Sequence, residues 1–285
     1  MSQKCIQITF SPVESLDNET MAFLESYFDV VACNYTDSGL EEYVGYISPN
    51  FIETDFLAMA ESFNLPHYKI STLESENWLK DYVIEFDPIE IEDFYIFGIH
   101  EKNEPKTKKI PIKIYAATAF GSSHQTTKCC LQALTWLHRQ NAKHKKTLDV
   151  GTGTGILSIA AAKLWNDTQI LATDIDDEAV IVANQNAETN RVGCQITAIR
   201  SDGYTNPHIK TQGPFDIILS NILARPLIEM SNDLYKNLTK NGYCVLSGFN
   251  EEQFDWVVSE HEKQGLKLIK TYHDENWRAV IMEKV

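Results

Sequence analysis

Leu148-Asp149-Val150-Gly151-Thr152-Gly153-Thr154-Gly155-Ile156-Leu157-Ser158 is the stretch that decides the fold. An apolar strand runs into a glycine-rich turn, and the turn opens a helix. Glycine permits a sharp backbone reversal and lets a ligand approach the main chain closely. The spacing is Gly-x-Gly-x-Gly. A dinucleotide fingerprint puts its third glycine at position 156, where Ile156 stands, and this weakens a nicotinamide reading. Asp149, just ahead of the turn, is suited to fix the loop or to meet the positive end of a ligand.

Working downstream, Ile170-Leu171-Ala172-Thr173-Asp174-Ile175-Asp176 is a second apolar strand that ends in an acid about 20 residues after the glycines. A carboxylate there accepts hydrogen bonds from the ribose hydroxyls of a bound nucleoside. Asp176 reads as the N-cap of the next helix. The turn and Asp174, in this order and at this distance, point to nucleoside binding. Ser201-Asp202-Gly203 follows a third strand; Asp202 is either an acceptor for an adenine amino group or a plain turn aspartate. The fourth strand ends Ser220-Asn221-Ile222-Leu223-Ala224. Asn221 falls at the carboxyl edge of the expected sheet, where open α/β folds bind ligands. Its amide both donates and accepts, which suits orienting an amine, or it caps the following helix.

From about residue 115 onward, helices alternate with buried strands, the pattern of a parallel sheet with crossover helices. Strands are expected at 147–150, 169–172, 195–200, 216–220, 243–246, 266–270 and 277–282, and helices at 124–139, 155–164, 177–189, 222–239 and 251–264. The first 75 residues read as β-α-β-β-α-β, with strands at 5–10, 29–35, 43–47 and 68–70 and helices at 15–27 and 51–63. That order is ferredoxin-like. A turn is expected at 36–39. The expected organisation is thus a front domain at 1–75, a linker at 76–114 (with a helical turn at 78–82, a strand at 94–99 and an exposed lysine-rich turn after it) and an α/β domain at 115–285.

Charge is unevenly spread. The net charge is −15, yet residues 1–93 carry 19 acids against Lys4, Lys69 and Lys80, a balance of −16. A phosphate-binding surface needs the opposite sign, so direct nucleic-acid recognition is not expected. A basic partner is favoured, because complementary fields speed encounter. Six scattered cysteines without a Cys-x-x-Cys pair read as reduced thiols in a cytoplasmic protein. The opening ten residues alternate like a strand rather than forming a signal peptide. No apolar run is long enough for a membrane span. The eight histidines show no metal-ligand spacing, so no metal site is expected. Nothing in the sequence calls for more than a monomer.

One further loop, Ala119-Phe120-Gly121-Ser122-Ser123-His124-Gln125-Thr126-Thr127, is small and polar and enters a helix. With it, three segments resemble the family of bacterial enzymes that methylate the eleventh protein of the large ribosomal subunit (PrmA), within the class I S-adenosylmethionine-dependent methyltransferases. The loop resembles that family's Ala-Phe-Gly-Thr-Gly-x-His-x-Thr-Thr, one residue shorter here. Residues 148–157 and 174–186 resemble its cofactor motifs, and residues 216–227 resemble its Asn-x-Leu-Ala segment. The resemblance implies a Rossmann-like methyltransferase sheet behind a ferredoxin-like substrate-binding domain. It implies S-adenosylmethionine as cofactor, held by Phe120, Gly121, Thr127, Asp149, Gly151, Gly153, Asp174, Asp202 and Asn221. Asn221, Thr126 and Thr127 would orient the nucleophile. The implied reaction is methylation of lysine ε-amines, and of an N-terminal α-amine, on that ribosomal protein, with the acidic front domain engaging it. Methylation of another protein or of a small amine keeps the same site. A non-catalytic nucleoside-binding protein is the reading from a different class. Glutamine methylation is disfavoured, because its Asn-Pro-Pro-Tyr signature is replaced by Asn221-Ile222-Leu223-Ala224.

Overall fold

The computed structural model describes residues 4–11, 16, 20, 24, 30–35, 41–47, 56, 60, 67–74, 86–101, 105–115, 125–140 and 144–285. The chain divides into two compact units, Met1–Tyr82 and Val83–Val285. In the first unit, β1 (Lys4–Ser11), β2 (Val30–Tyr35), β3 (Glu41–Ile47) and β4 (His67–Glu74) form a sheet of order β2-β3-β1-β4 among the described residues. Every pairing in it is antiparallel. Thr20 and Leu24, and Phe56 and Ala60, are helical and lie between the first two and the last two strands. This is the ferredoxin-like order. Ile8, Phe10, Leu24, Tyr43, Phe56 and Ala60 are buried. The alternation along β1 that buries Ile8 and Phe10 is the period-two pattern of a half-buried strand. The turn expected at 36–39 and the helical turn expected at 78–82 lie outside the described residues.

In the second unit, β5 (Ile89–Ile91), β6 (Phe94–Gly98) and β7 (Ile110–Ile114) form a small sheet of their own. The expected linker therefore carries structure. Ile91, Phe94, Ile96, Ile112 and Ile114 sink into the main core of this unit. The strand expected at 94–99 is β6, while β5 and β7 on either side of it are not among the expectations.

Behind it come α1 (Gln125–Arg139), β8 (Lys146–Val150), α2 (Ile156–Leu164), β9 (Gln169–Asp174), α3 (Asp177–Thr189), β10 (Ile196–Arg200), α4 (Pro207–Gln212), β11 (Phe215–Asn221), α5 (Ala224–Glu229), α6 (Ser231–Asn237), β12 (Leu238–Asn250), α7 (Glu251–Lys263), β13 (Leu266–Asp274) and β14 (Trp277–Lys284). Among the described residues the large sheet has the order β10-β9-β8-β11-β12-β14-β13. Strands β8 to β12 are parallel, and β14 runs antiparallel to both neighbours. The chain reverses direction across the sheet between β8 and β11, which makes that junction the topological switch point.

Successive residues of each central strand serve opposite faces. Ile217 and Leu219 join the core under α1, α2 and α3, while Ile218 joins the core under α4 to α7. Ala279 and Ile281 divide from Val280 and Met282 in the same way. Both faces are covered, so these strands are near-continuous apolar runs. Leu131, Leu134 and Leu137 of α1 are fully buried, each contributing about 1.5–3 kcal/mol of apolar transfer. Helix α7 starts at a capping box in which Asn250 and Gln253 bond each other's backbone N–H. The single helix expected over 222–239 is two, α5 and α6, joined at Met230 with φ −96° and ψ 5°. Helix α4, absent from the expectations, is capped by Asn206, starts with Pro207 and stops at Gly213.

Candidate active site

The site assembles along the carboxyl edge of the large sheet. Strand β8 ends at Val150, and the backbone turns at once through Gly151, Gly153 and Gly155, at φ 74°, 54° and 80°. Gly151 lies against the Ile222 side chain; a Cβ there would stand 2.3 Å from Ile222 Cγ2. Strand β9 holds the turn from the side. The N–H groups of Gly151 and Thr152 donate to the Thr173 carbonyl at 2.8 and 3.0 Å. The Gly153 N–H donates to Asp174 Oδ2 at 2.8 Å, and the Asp176 N–H donates to Asp174 Oδ1 at 3.1 Å. Asp174, half-buried, is thus fixed in orientation with one backbone N–H on each carboxylate oxygen. Asp176 caps α3, accepting from the Glu178 N–H at 2.9 Å, which stabilises the helix by about 1 kcal/mol.

Asp149 works behind the turn. It is 1% exposed, and its Oδ2 accepts from Thr152 Oγ1 and from Ser158 Oγ, both at 2.7 Å. The carboxylate therefore locks the turn to the first helical turn of α2. Its Oδ1 is buried without a hydrogen-bond partner among the described residues. Burial raises its pKa to about 6; the nearby Asp174 charge adds to this, and the two hydroxyl donors work against it. The sequence offers two tasks for Asp149, and loop fixing is the one that these bonds perform.

At the switch point, Ser220 Oγ donates to the Val150 carbonyl at 3.0 Å, tying β11 to β8. Asn221 faces Ser247 in β12. It does not cap the helix that follows, whose N-cap is Leu223 with no side-chain cap bond. Its Nδ2 instead donates to Thr127 Oγ1 on α1 at 3.3 Å. Thr126 and Thr127 are 5% and 2% exposed. The structure thus brings Asn221 and Thr127 together beside the glycine turn. Asp202 is exposed in the turn after β10 and accepts the Thr205 N–H through its backbone carbonyl. Phe120, Gly121 and His124, with the rest of residues 116–124, lie outside the described residues.

Several contributors escape a reading of motifs. Thr152, Ser158 and Ser220 are buried hydroxyls whose roles depend on partners across the site. Asn186 on α3 and Asn190, its C-cap four residues on, are buried. Their signal was in the sequence, as amides on the face that also carries Val182, Ala183 and Ala187. Among the described residues no group of three or more His, Cys, Asp or Glu is placed to hold a metal. No described helix is long and apolar enough to cross a membrane.

A seven-stranded sheet with one antiparallel strand, a glycine turn after its first strand and an acid ending its second define a class I methyltransferase. Family-level comparison narrows this. Residues 15–285 match the model of the ribosomal protein L11 methyltransferase (PrmA) family, and the chain belongs to it. It is 34% identical over 215 residues to the ribosomal protein L11 methyltransferase of Bradyrhizobium diazoefficiens, covering 75% of this chain and 72% of that one. The counterpart from Brucella suis is 37% identical over 205 residues, 72% of this chain and 71% of that one. Among solved structures, the ribosomal protein L11 methylase of Lactobacillus delbrueckii subsp. bulgaricus is similar with a TM-score of 0.62 at 26% identity, covering 70% of this chain and 99% of that one.

Proposed function

We propose that the chain methylates lysine ε-amines, and the N-terminal α-amine, of the eleventh large-subunit ribosomal protein, with S-adenosylmethionine as donor. It does so in the cytoplasm as a monomer. Membership of the family makes it an S-adenosylmethionine-dependent methyltransferase. The observation that carries the site assignment is the Asn221–Thr127 bond at the carboxyl edge, next to the glycine turn.

The residues present fit the cofactor. Asp174, whose carboxylate oxygens each take one backbone N–H and keep capacity for another donor, suits ribose hydroxyls. The orphaned, buried Oδ1 of Asp149 suits a positive neighbour. Gly151, Gly153 and Thr127 would border the cofactor and Asp202 would accept from its adenine amino group, and the family resemblance assigns Phe120 and Gly121 to the same task. When bound, the donor supplies an electrophilic methyl carbon on a positively charged sulfur. The chain's own task is then placement and exclusion of water rather than strong base catalysis. Asn221 and the Thr126–Thr127 pair orient the amine. A free lysine amine has a pKa of about 10.4, so it gives its proton to water before attack, and the Asn221 side-chain oxygen accepts a hydrogen bond from the neutral amine.

The acidic surplus of residues 1–82, 14 Asp and Glu against Lys4, Lys69 and Lys80, supports the front domain as the part that engages the basic substrate. The test is incubation of the purified protein with labelled S-adenosylmethionine and a panel of ribosomal proteins from an unmethylated host, read by mass spectrometry. Successive methyl additions on the eleventh large-subunit protein are expected. Cofactor binding with transfer only to other amines would overturn the substrate assignment.

A further inference from the structure

Strand β7 pairs with β6 on one edge, and Asn186 of α3 and Asn190, the C-cap of α3, line its other edge. The Lys113 N–H donates to Asn190 Oδ1 at 3.0 Å, and Asn190 Nδ2 donates to the Lys113 carbonyl at 2.6 Å. One step along, the Tyr115 N–H donates to Asn186 Oδ1 at 2.8 Å, and Asn186 Nδ2 donates to the Tyr115 carbonyl at 3.1 Å. Each side-chain amide does for one residue what a facing strand would do. The periods agree: two strand residues advance about 6.6 Å, and four helical residues advance about 6.0 Å.

The two asparagines differ in their second acceptor. The remaining amide bond of Asn190 goes to the Asn186 carbonyl of its own helix, at 2.8 Å. That of Asn186 goes to the Thr154 carbonyl inside the glycine turn, at 2.8 Å. Asn186, 0% exposed, is therefore one planar group bonded at once to the turn and to Tyr115. Tyr115 opens the segment in which the sequence puts Phe120 and Gly121.

We propose that Asn186 is a positioning residue that couples the cofactor turn to the chain entering the acceptor loop, so that the two order together. This rests on the methyltransferase reading above. Removing the amide removes both of its donated bonds at once, to Tyr115 and to Thr154, and losing one partner of a buried hydrogen bond costs more than the net value of the bond. Because one of these bonds reaches the turn, the penalty falls on cofactor affinity and not on stability alone. Asn190 has no bond to the turn and serves as the control.

The experiment compares wild type, Asn186→Ala, Asn186→Asp and Asn190→Ala by calorimetric titration with S-adenosylmethionine, beside thermal melts. Wild-type binding tests the underlying reading separately; without it, the function assignment fails before this inference is reached. Asn186→Ala is expected to weaken cofactor binding about tenfold or more, while Asn190→Ala lowers the melting temperature and keeps the wild-type affinity. Asn186→Asp keeps the acceptor for Tyr115 but loses both donors, and is expected to behave like Asn186→Ala. Should a variant fail to fold, hydrogen exchange on wild type decides: the Tyr115 amide is expected to exchange more slowly with cofactor bound. Unchanged affinity in both Asn186 variants, or a Tyr115 amide indifferent to cofactor, would overturn the coupling.

Discussion

Asn221, at the end of β11, donates its side-chain amide to Thr127 Oγ1 on α1 at 3.3 Å, joining residues 94 positions apart. The bond fixes which way the amide faces, and so where its oxygen can accept an amine. Asn221→Ala should lower kcat about 100-fold, the scale of a misplaced reactant, and weaken cofactor binding by a smaller factor. Thr127→Val keeps the shape and removes the acceptor, and should lower kcat less. Steady-state kinetics beside cofactor titration separates the two. Loss of cofactor binding without loss of turnover at saturation would contradict an orienting role.

Gly248 presses on the same edge from β12. It has φ 95°, and a Cβ there would stand 2.0 Å from the Ile222 carbonyl oxygen. Ile222 in turn donates its N–H to the Ser247 carbonyl at 3.1 Å. Gly248→Ala must both adopt a left-handed conformation, costing about 1–2 kcal/mol, and displace the backbone beside Asn221. A lower melting temperature together with lower activity is expected; a wild-type melt would show that the strand end yields freely.

Asp149 should leave a signature in the pH dependence of stability. Its folded pKa is raised from 3.8 to about 6, first by burial. The native state therefore holds this proton more tightly than the unfolded chain does. The contribution of Asp149 to stability is greatest below the unfolded pKa and is lost as pH rises through the window from about 4 to about 6, at up to about 1.4 kcal/mol per pH unit. Asp149→Asn removes the titration. Subtracting its denaturation free energies from those of wild type between pH 4 and 7 should give that slope, and a flat difference would mean that the carboxyl titrates normally.

Substrate recognition should depend on ionic strength. If the 14 acids of residues 1–82 steer a basic protein, added salt raises the substrate KM by screening and leaves the cofactor dissociation constant nearly fixed. Replacing several of these acids by their amides should do the same at low salt. An unchanged KM in that variant would remove the charge argument for the front domain.

Much of the scaffold was readable because its signals are short in range. The front-domain strand order and the alternation behind residue 115 follow from period-two and period-3.6 patterns within single elements. Helix α4 was equally legible in principle, since Asn206-Pro207 opens it and Gly213 closes it, but Asn-Pro reads first as a turn. The division into α5 and α6 at Met230 was not legible, because no glycine or proline marks it. Within the expected linker the strand at 94–99 was legible, but the lysine-rich turn after it obscured β7, whose Ile112 and Ile114 are fully buried.

The sequence by itself determined the glycine turn, the acid that ends the next strand and the carboxyl-edge position of Asn221. These depend on backbone conformation and on the fixed length of a strand-helix-strand unit, both set by neighbouring residues. Tertiary structure alone decided that Asn221 meets Thr127 rather than capping α5, that Asp149 locks Thr152 to Ser158, and that Asn186 spans Tyr115 and Thr154. A buried polar group must find a partner, but which partner it finds is settled by the packing of helices against the sheet, and that packing brings together residues that no local pattern connects.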